Sequence, residues 1–177
     1  MTTPTVIEVL KSQGHSELLD YVIPGLNSTL LKNVRMFEMT RHQQHVIAPH
    51  SHRFDFACYV LEGKVINKIW VPTAVDTADL YRETFLRYLG TPGNYTQRWG
   101  ETKKYTSSSW NFGTGQWYQM SHDQIHSIHF EKGTKVIFFE GPDVSDESLM
   151  LEPFIERDLH VCSTGDVQPW MFRKVTK

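Results

Sequence analysis

The most constraining stretch of the chain is Pro49-His50-Ser51-His52-Arg53-Phe54-Asp55-Phe56, in which two histidines stand two residues apart. Side chains alternate faces along an extended strand, so His50 and His52 project from the same side. They can therefore share one metal ion. Later, Ile125-His126-Ser127-Ile128-His129-Phe130 reads as a second strand, whose alternation sets His126, Ile128 and Phe130 apart from Ile125, Ser127 and His129. One more imidazole completes a three-histidine face. His126 is the first choice; His129 lies on the opposite face and is second, and the case for His122 depends on where the strand begins.

Strand-like segments surround these stretches. Val34 to Thr40 and Gln44 to Ile47 precede the histidine pair, and Phe54 to Leu61 is a nearly continuous apolar run. Glu62-Gly63 then marks a turn into the alternating Lys64 to Val71, which reads as a hairpin. Tyr105 to Asn111 and Gly115 to Met120 flank Gly113-Thr114-Gly115, and Thr134 to Glu140 is β-branched and aromatic enough for a central strand.

The ends of the chain read differently. A short helix is expected over Pro4 to Gly14, with Thr3 as cap, and a second over Glu17 to about Ile23, stopped by Pro24-Gly25. Residues 72–104 are the least readable. Ala78 to Leu89 fits both a helix and a long strand, and the preferred reading is extended structure with a turn at Thr91-Pro92-Gly93, in an insertion placed to cover a barrel mouth. The segment from Asp143 is expected to pack over the barrel.

His50-x-His52, the apolar strand from Phe56 to Leu61, Gly63 and the late histidine strand running to Gly133 and Pro142 resemble the cupin superfamily, in the group that carries His-x-His-x-x-Asp-Phe. The resemblance covers roughly residues 34–142. It implies a mainly β fold, a cupin-like double-stranded β-helix (jelly-roll) barrel, here with short N-terminal helices. One domain is expected, made of a helical segment 1–33, a barrel 34–142 and a tail 143–177. The resemblance also implies one divalent metal inside the barrel and a possible homodimer. The usual glutamate of the first cupin motif is missing, since its places hold Phe56 and Ala57, and the usual Pro-x-Gly turn before the last histidine is absent. Asp55 lies one position earlier, and Cys58 lies near the place where cysteine-dioxygenase-like cupins carry a cysteine.

At 177 residues the chain suits one domain with a proper core, and 40% hydrophobic with 12% aromatic residues is globular composition. A net charge of −2 gives no electrostatic case for nucleic acid or an anionic membrane as partner. A small molecule is the better default. Cys58 and Cys162 form no metal or redox motif, and no signal-like or spanning apolar run is visible, so the expected location is the cytoplasm. Trp70, Tyr59, Trp110, Trp117, Tyr118 and Phe138 are expected to line or fill the barrel.

Neutral imidazoles suit Fe(II), Zn, Ni, Cu and Mn, and three protein ligands leave positions open for substrate, water or dioxygen. The expected metal ligands are His50, His52 and His126. Asp55, the catalytic candidate, has three readings: a fourth ligand, an acceptor for the far N–H of a ligand histidine, or a rim carboxylate paired with Arg53 or Arg41. Fe(II) is favoured, with Zn, Ni or Mn possible, and the favoured activity is that of an Fe(II) dioxygenase on a small organic substrate. A 2-oxoglutarate-dependent variant ranks lower and would need a basic residue inside the barrel, with Lys64, Lys68, Arg82 and Arg98 as candidates. The alternatives are a non-catalytic ligand-binding module and a metal-free sugar-nucleotide isomerase or epimerase using a histidine base.

Overall fold

Period-two alternation governs almost every element of the chain. In β4 (Phe54–Glu62), Phe56, Cys58 and Val60 are buried while Ala57 and Tyr59 are only partly covered. The same rhythm places Val65 and Asn67 of β5 (Lys64–Pro72), His126 and Phe130 of β9 (Ile125–Phe130), and Val136 and Phe138 of β10 (Lys135–Asp143) on buried faces. Strands with one apolar face bury it by packing two sheets together. The computed structural model describes Val9, Ser12 and residues 16–31, 34–90 and 94–154.

The remaining strands are β1 (Ser16–Leu18), β2 (Leu26–Leu31), β3 (Val34–Met39), β6 (Asp79–Tyr88), β7 (Tyr95–Gly113), β8 (Trp117–Met120) and β11 (Glu147–Pro153). One sheet has the order β1-β2-β3-β10-β4-β8 and the other β11-β6-β7-β5-β9. All pairings are antiparallel. The main core lies between the sheets and contains Met39, Phe56, Val60, Val65, Tyr118, Phe130 and Val136. Successive strands cross repeatedly from one sheet to the other, which is the winding of a cupin-like double-stranded β-helix.

That winding corrects the expected hairpin at Glu62-Gly63. β4 pairs with β10 and β8, whereas β5 pairs with β7 and β9, so Gly63 turns a corner between sheets instead of joining neighbours. Both strands have an inward face to bury, and a corner satisfies both. Gly63 has a φ of 79°, and a Cβ there would stand 2.6 Å from Thr134 Oγ1. By contrast Thr134–Glu140 is central, because β10 lies between β3 and β4.

The second expected helix is also corrected. Ser16–Leu18 is a strand paired with β2, and Pro24-Gly25 belongs to the turn between them. Asp20 Oδ1 accepts the Gly25 N–H and an Arg41 N–H, so a turn-stabilising carboxylate explains the punctuation that reads as a helix stop. The first expected helix lies almost wholly outside the described residues, although Val9 and Ser12 are helical. The tail beyond residue 154 also lies outside them. Among the described residues no helix is long and apolar enough to cross a membrane.

β6 (Asp79–Tyr88) and β7 (Tyr95–Gly113) settle the 72–104 ambiguity as extended structure, while the expected turn at Thr91-Pro92-Gly93 lies outside the described residues. The first part of the 19-residue β7 pairs with β6 and its second part with β5, so one long strand belongs to two ladders. Within this five-stranded sheet, Tyr81 of β6, Tyr105 of β7, Ile125 of β9 and Leu151 of β11 form a second small core with Trp70 packed against it. A single residue then joins the two edges of this sheet. His50 bridges both His126 in β9 and Met150 in β11.

Candidate metal centre and its cavity

Main-chain bonding fixes the histidines before their side chains are considered. The His50 N–H donates to His126 O at 2.8 Å and the His126 N–H returns to His50 O at 2.9 Å. On the other side the Ser51 N–H donates to Leu149 O and the Leu151 N–H to Pro49 O. Residues 49–51 are thus a clasp held from both sides. It sets the His50 and His126 side chains next to each other on the barrel face.

The ring nitrogens of His50, His52 and His126 converge, with one donor atom from each lying within 4.8 Å of the others. His126 is buried and the other two partly so. The His126 Nδ1–H donates to Asn67 Oδ1 at 2.8 Å, and the His50 Nδ1–H to Ala48 O at 2.8 Å. Each bond fixes the tautomer that leaves Nε2 with its lone pair inward. His52 Nε2 stands 2.9 Å from His126 Nε2. In the ion-free protein this contact is satisfied when His52 Nε2–H donates to the His126 lone pair.

The donor set fits a divalent ion. Nitrogens about 2.1 Å from one ion lie about 3.0 Å apart at a right angle and about 3.4 Å apart at a tetrahedral angle. The His52–His126 separation matches the first, which is the arrangement of cis ligands around an ion with open positions. The rings are also in the right charge state. Burial lowers the pKa of His50 despite the opposing Ala48 bond, and lowers His52 and His126 well below the ordinary 6.5, helped by the neighbouring imidazoles. A neutral imidazole is the form that ligates.

Asp55 is not brought to this cluster. As the neighbour of Phe54 and Phe56 it points out of the barrel, and its side chain is 61% exposed. Its Oδ1 accepts the His122 N–H at 2.7 Å and bonds His122 Nδ1 at 3.1 Å. Those bonds lower the carboxyl pKa, the backbone one most. Asp55 thus tethers the 121–124 turn, and strand parity is the reason it does so. Neither rim pairing forms, because Arg53 binds Asp143 and Arg41 binds Asp20. His122 is carried outward with it, and His129 is exposed.

The three histidines line a cavity of about 370 Å³ between the sheets. Phe54, Phe56, Phe130 and Phe138 give it aromatic walls, and the His52 ring sits 4.7 Å from that of Phe56. Cys58 also lines it, with burial pushing its thiol up to about 12. Tyr88 at the end of β6 and Tyr95 at the start of β7 also line the cavity.

The basic residues of the cavity are Arg35 and Arg53. Sequence reasoning missed both, along with Asn67. The four candidates it named lie elsewhere: Lys64 pairs with Glu131, Arg82 with Glu152, Arg98 with Glu147, and Lys68 is exposed. Parity could have found Asn67, which shares a face with Val65 and Ile69, and Arg35, which shares one with Phe37. Of the aromatic candidates, Tyr118 and Phe138 line the cavity, whereas Trp110 and Trp117 are 59% and 54% exposed. Tyr59 packs on Trp117 at the outer face, and Trp70 donates from Nε1 to Ser127 in the second core.

No family model and no curated protein matches the sequence. Among solved structures the chain is similar to the Drosophila melanogaster CENP-C cupin domain, at 7% identity over 67% of this chain and 71% of that one, with a TM-score of 0.39. It is also similar to KdgF from Halomonas sp., at 12% identity over 81% of this chain and 92% of that one, TM-score 0.39. A third is Streptomyces albus HEPD with 2-hydroxyethylphosphonate and Fe(II) bound, at 12% identity over 90% of this chain and 30% of that one, TM-score 0.44. Superpositions this loose tell nothing about activity. Strand order and histidine geometry define the class, a cupin-like β-barrel whose three-histidine cluster can hold a metal ion.

Proposed function

We propose that the protein is a metal-dependent cupin acting on a small organic molecule, with an Fe(II)-dependent dioxygenase as the favoured activity. The observation that carries this reading is the convergence of three neutral imidazoles with one donor atom each inside 4.8 Å. His50, His52 and His126 would hold the ion, and Ala48 O and Asn67 Oδ1 orient two of them. A redox-active ion at such a site supplies dioxygen chemistry on a substrate bound beside it, and Zn supplies only Lewis acidity. The aromatic walls suit the apolar part of a substrate. A metal-free isomerase would need a cavity histidine paired with a carboxylate. The histidine–carboxylate pair present, His122–Asp55, lies on the exposed side.

The test is elemental analysis of protein purified without a metal-binding tag, beside a His50→Ala, His126→Ala double variant. Near-stoichiometric iron, nickel, manganese or zinc in the wild type and none in the variant is the expected result. Oxygen consumption by the Fe(II)-loaded protein across a panel of small organic substrates then tests the dioxygenase reading. A wild type that neither carries nor accepts a divalent ion would overturn the metal reading.

A further inference from the structure

Apart from the Cys58 thiol, the other polar side chains among the described residues lining the cavity are hydroxyls or members of two ion pairs, and the two ion pairs differ. Arg35 Nε is bonded to Glu140 Oε1 at 3.3 Å and its Nη1 to Ser28 Oγ at 3.0 Å. Glu140 itself lines the cavity, so this pair presents no net charge there. Both arginines lie over an aromatic ring, Arg35 over Tyr21 at 5.0 Å, but the carboxylate partner of Arg53 lies outside the cavity. The Arg53 guanidinium lies over the Tyr88 ring, 4.1 Å from the ring centre, and its Nη1 binds Asp143 Oδ2 at 2.8 Å. Asp143 does not line the cavity and its side chain is 51% exposed, whereas that of Arg53 is only 18% exposed. The carboxylate is screened by water while the cation faces the cavity.

The cluster adds to this imbalance. Three neutral imidazoles leave the whole charge of a divalent ion uncompensated, and no carboxylate completes the set. A charge so placed beside an aromatic wall calls for an anion. We infer that the cavity binds a small organic acid, with its apolar body against the phenylalanine wall and its carboxylate gripped by the guanidinium of Arg53. This substrate class rests on the metal-cupin reading, and deepens it. A planar fork held by an aromatic ring suits a carboxylate, which accepts two parallel N–H bonds. The volume sits at the small end for ligand sites, so the acid is small.

The experiment compares benzoate with its neutral isostere benzamide by calorimetry on the full chain, first treated with EDTA and then loaded with Fe(II) under anaerobic conditions. Benzoate should bind more tightly than benzamide in both forms. Arg53→Gln should weaken benzoate by about tenfold or more and leave benzamide unchanged, the loss expected for a charge-assisted bond. Asp143→Asn, which removes the competing carboxylate, should tighten benzoate severalfold. A purely structural role for Arg53 predicts no gain in the Asp143 variant. Equal binding of the two probes, no benzoate binding at millimolar concentration, or benzoate binding indifferent to Arg53→Gln overturns the inference. Elemental analysis of the same samples separates the two readings. Failure to take up an ion sinks the metal cupin while the probe comparison on EDTA-treated protein still stands.

Discussion

Asn67 Oδ1 accepts the Nδ1–H of His126 at 2.8 Å inside the barrel, and the Asn67 amide is turned that way because its Nδ2 donates to Met120 Sδ at 3.3 Å. One buried side chain therefore decides which His126 nitrogen faces the other imidazoles. Asn67→Ala removes the acceptor. Metal affinity should fall by about 10–100-fold, the usual effect of losing such a support. The variant should also lose about 1–3 kcal/mol of stability, because His126 keeps an unpaired buried N–H. Competition with a chelating dye measures the first and urea unfolding the second. Unchanged affinity would mean that the tautomer is fixed by something else.

The three cavity imidazoles set a pH dependence whose sign follows from burial. Their folded pKa values are lowered from 6.5, so the unfolded chain takes up protons first as pH falls. Their stabilising effect is complete above about pH 6.5 and is lost as pH drops toward the lowered folded values. Each imidazole held neutral contributes a slope of about 1.4 kcal/mol per pH unit within that window. Urea unfolding with EDTA between pH 8 and pH 5 should show the decline, and His126→Ala should flatten it. An equal slope in wild type and variant would place the proton uptake elsewhere.

How much of this was legible in the sequence depends on whether local alternation or long-range pairing decides the feature. His126 is placed by period two in β9, and His50 and His52 stand two apart in the non-strand stretch just before β4, so the convergence of the pair can be anticipated from spacing alone while its pairing with His126 is long-range. Asp55 is kept away from the histidine cluster by strand parity, which turns it outward to His122. Gly63 is ambiguous locally: a glycine between two strands fits both a hairpin and a corner, and only the pairing of β4 with β10 and of β5 with β9 decides. Glu17 to Ile23 is too short for periodicity to arbitrate, and its strand exists because Leu30, Thr29 and Ser28 pair with it. Arg53 lies against Tyr88 at the cavity, a contact between distant segments that no local pattern encodes.

The corner at Gly63 gives a stability prediction. Its φ of 79° is one that L side chains rarely adopt, and an added Cβ would meet the Thr134 backbone at 2.8 Å as well as its hydroxyl. That hydroxyl is already engaged, accepting the Lys64 N–H at 3.1 Å and donating to Lys64 O at 2.9 Å. Gly63→Ala should therefore cost about 1–3 kcal/mol by chemical denaturation. A loss below that range would show that the corner relaxes freely.

Cys58 tests whether the barrel interior is as closed as its packing indicates. The thiol is 1% exposed, faces the cavity between Phe56 and Val60, and has a pKa pushed up to about 12 by burial. Alkylation requires the thiolate, which is then scarce at pH 8. Iodoacetamide should leave Cys58 unmodified in the native protein over hours and label it fully in urea, as read by peptide mass spectrometry on a Cys162→Ser background. Filling the cavity with a divalent ion should not change this, because no bond of Cys58 depends on the histidine cluster. Rapid native labelling would show instead that the strands around β4 open on that timescale, and the cavity would then be wet enough to weaken every charge-based interaction assigned to it.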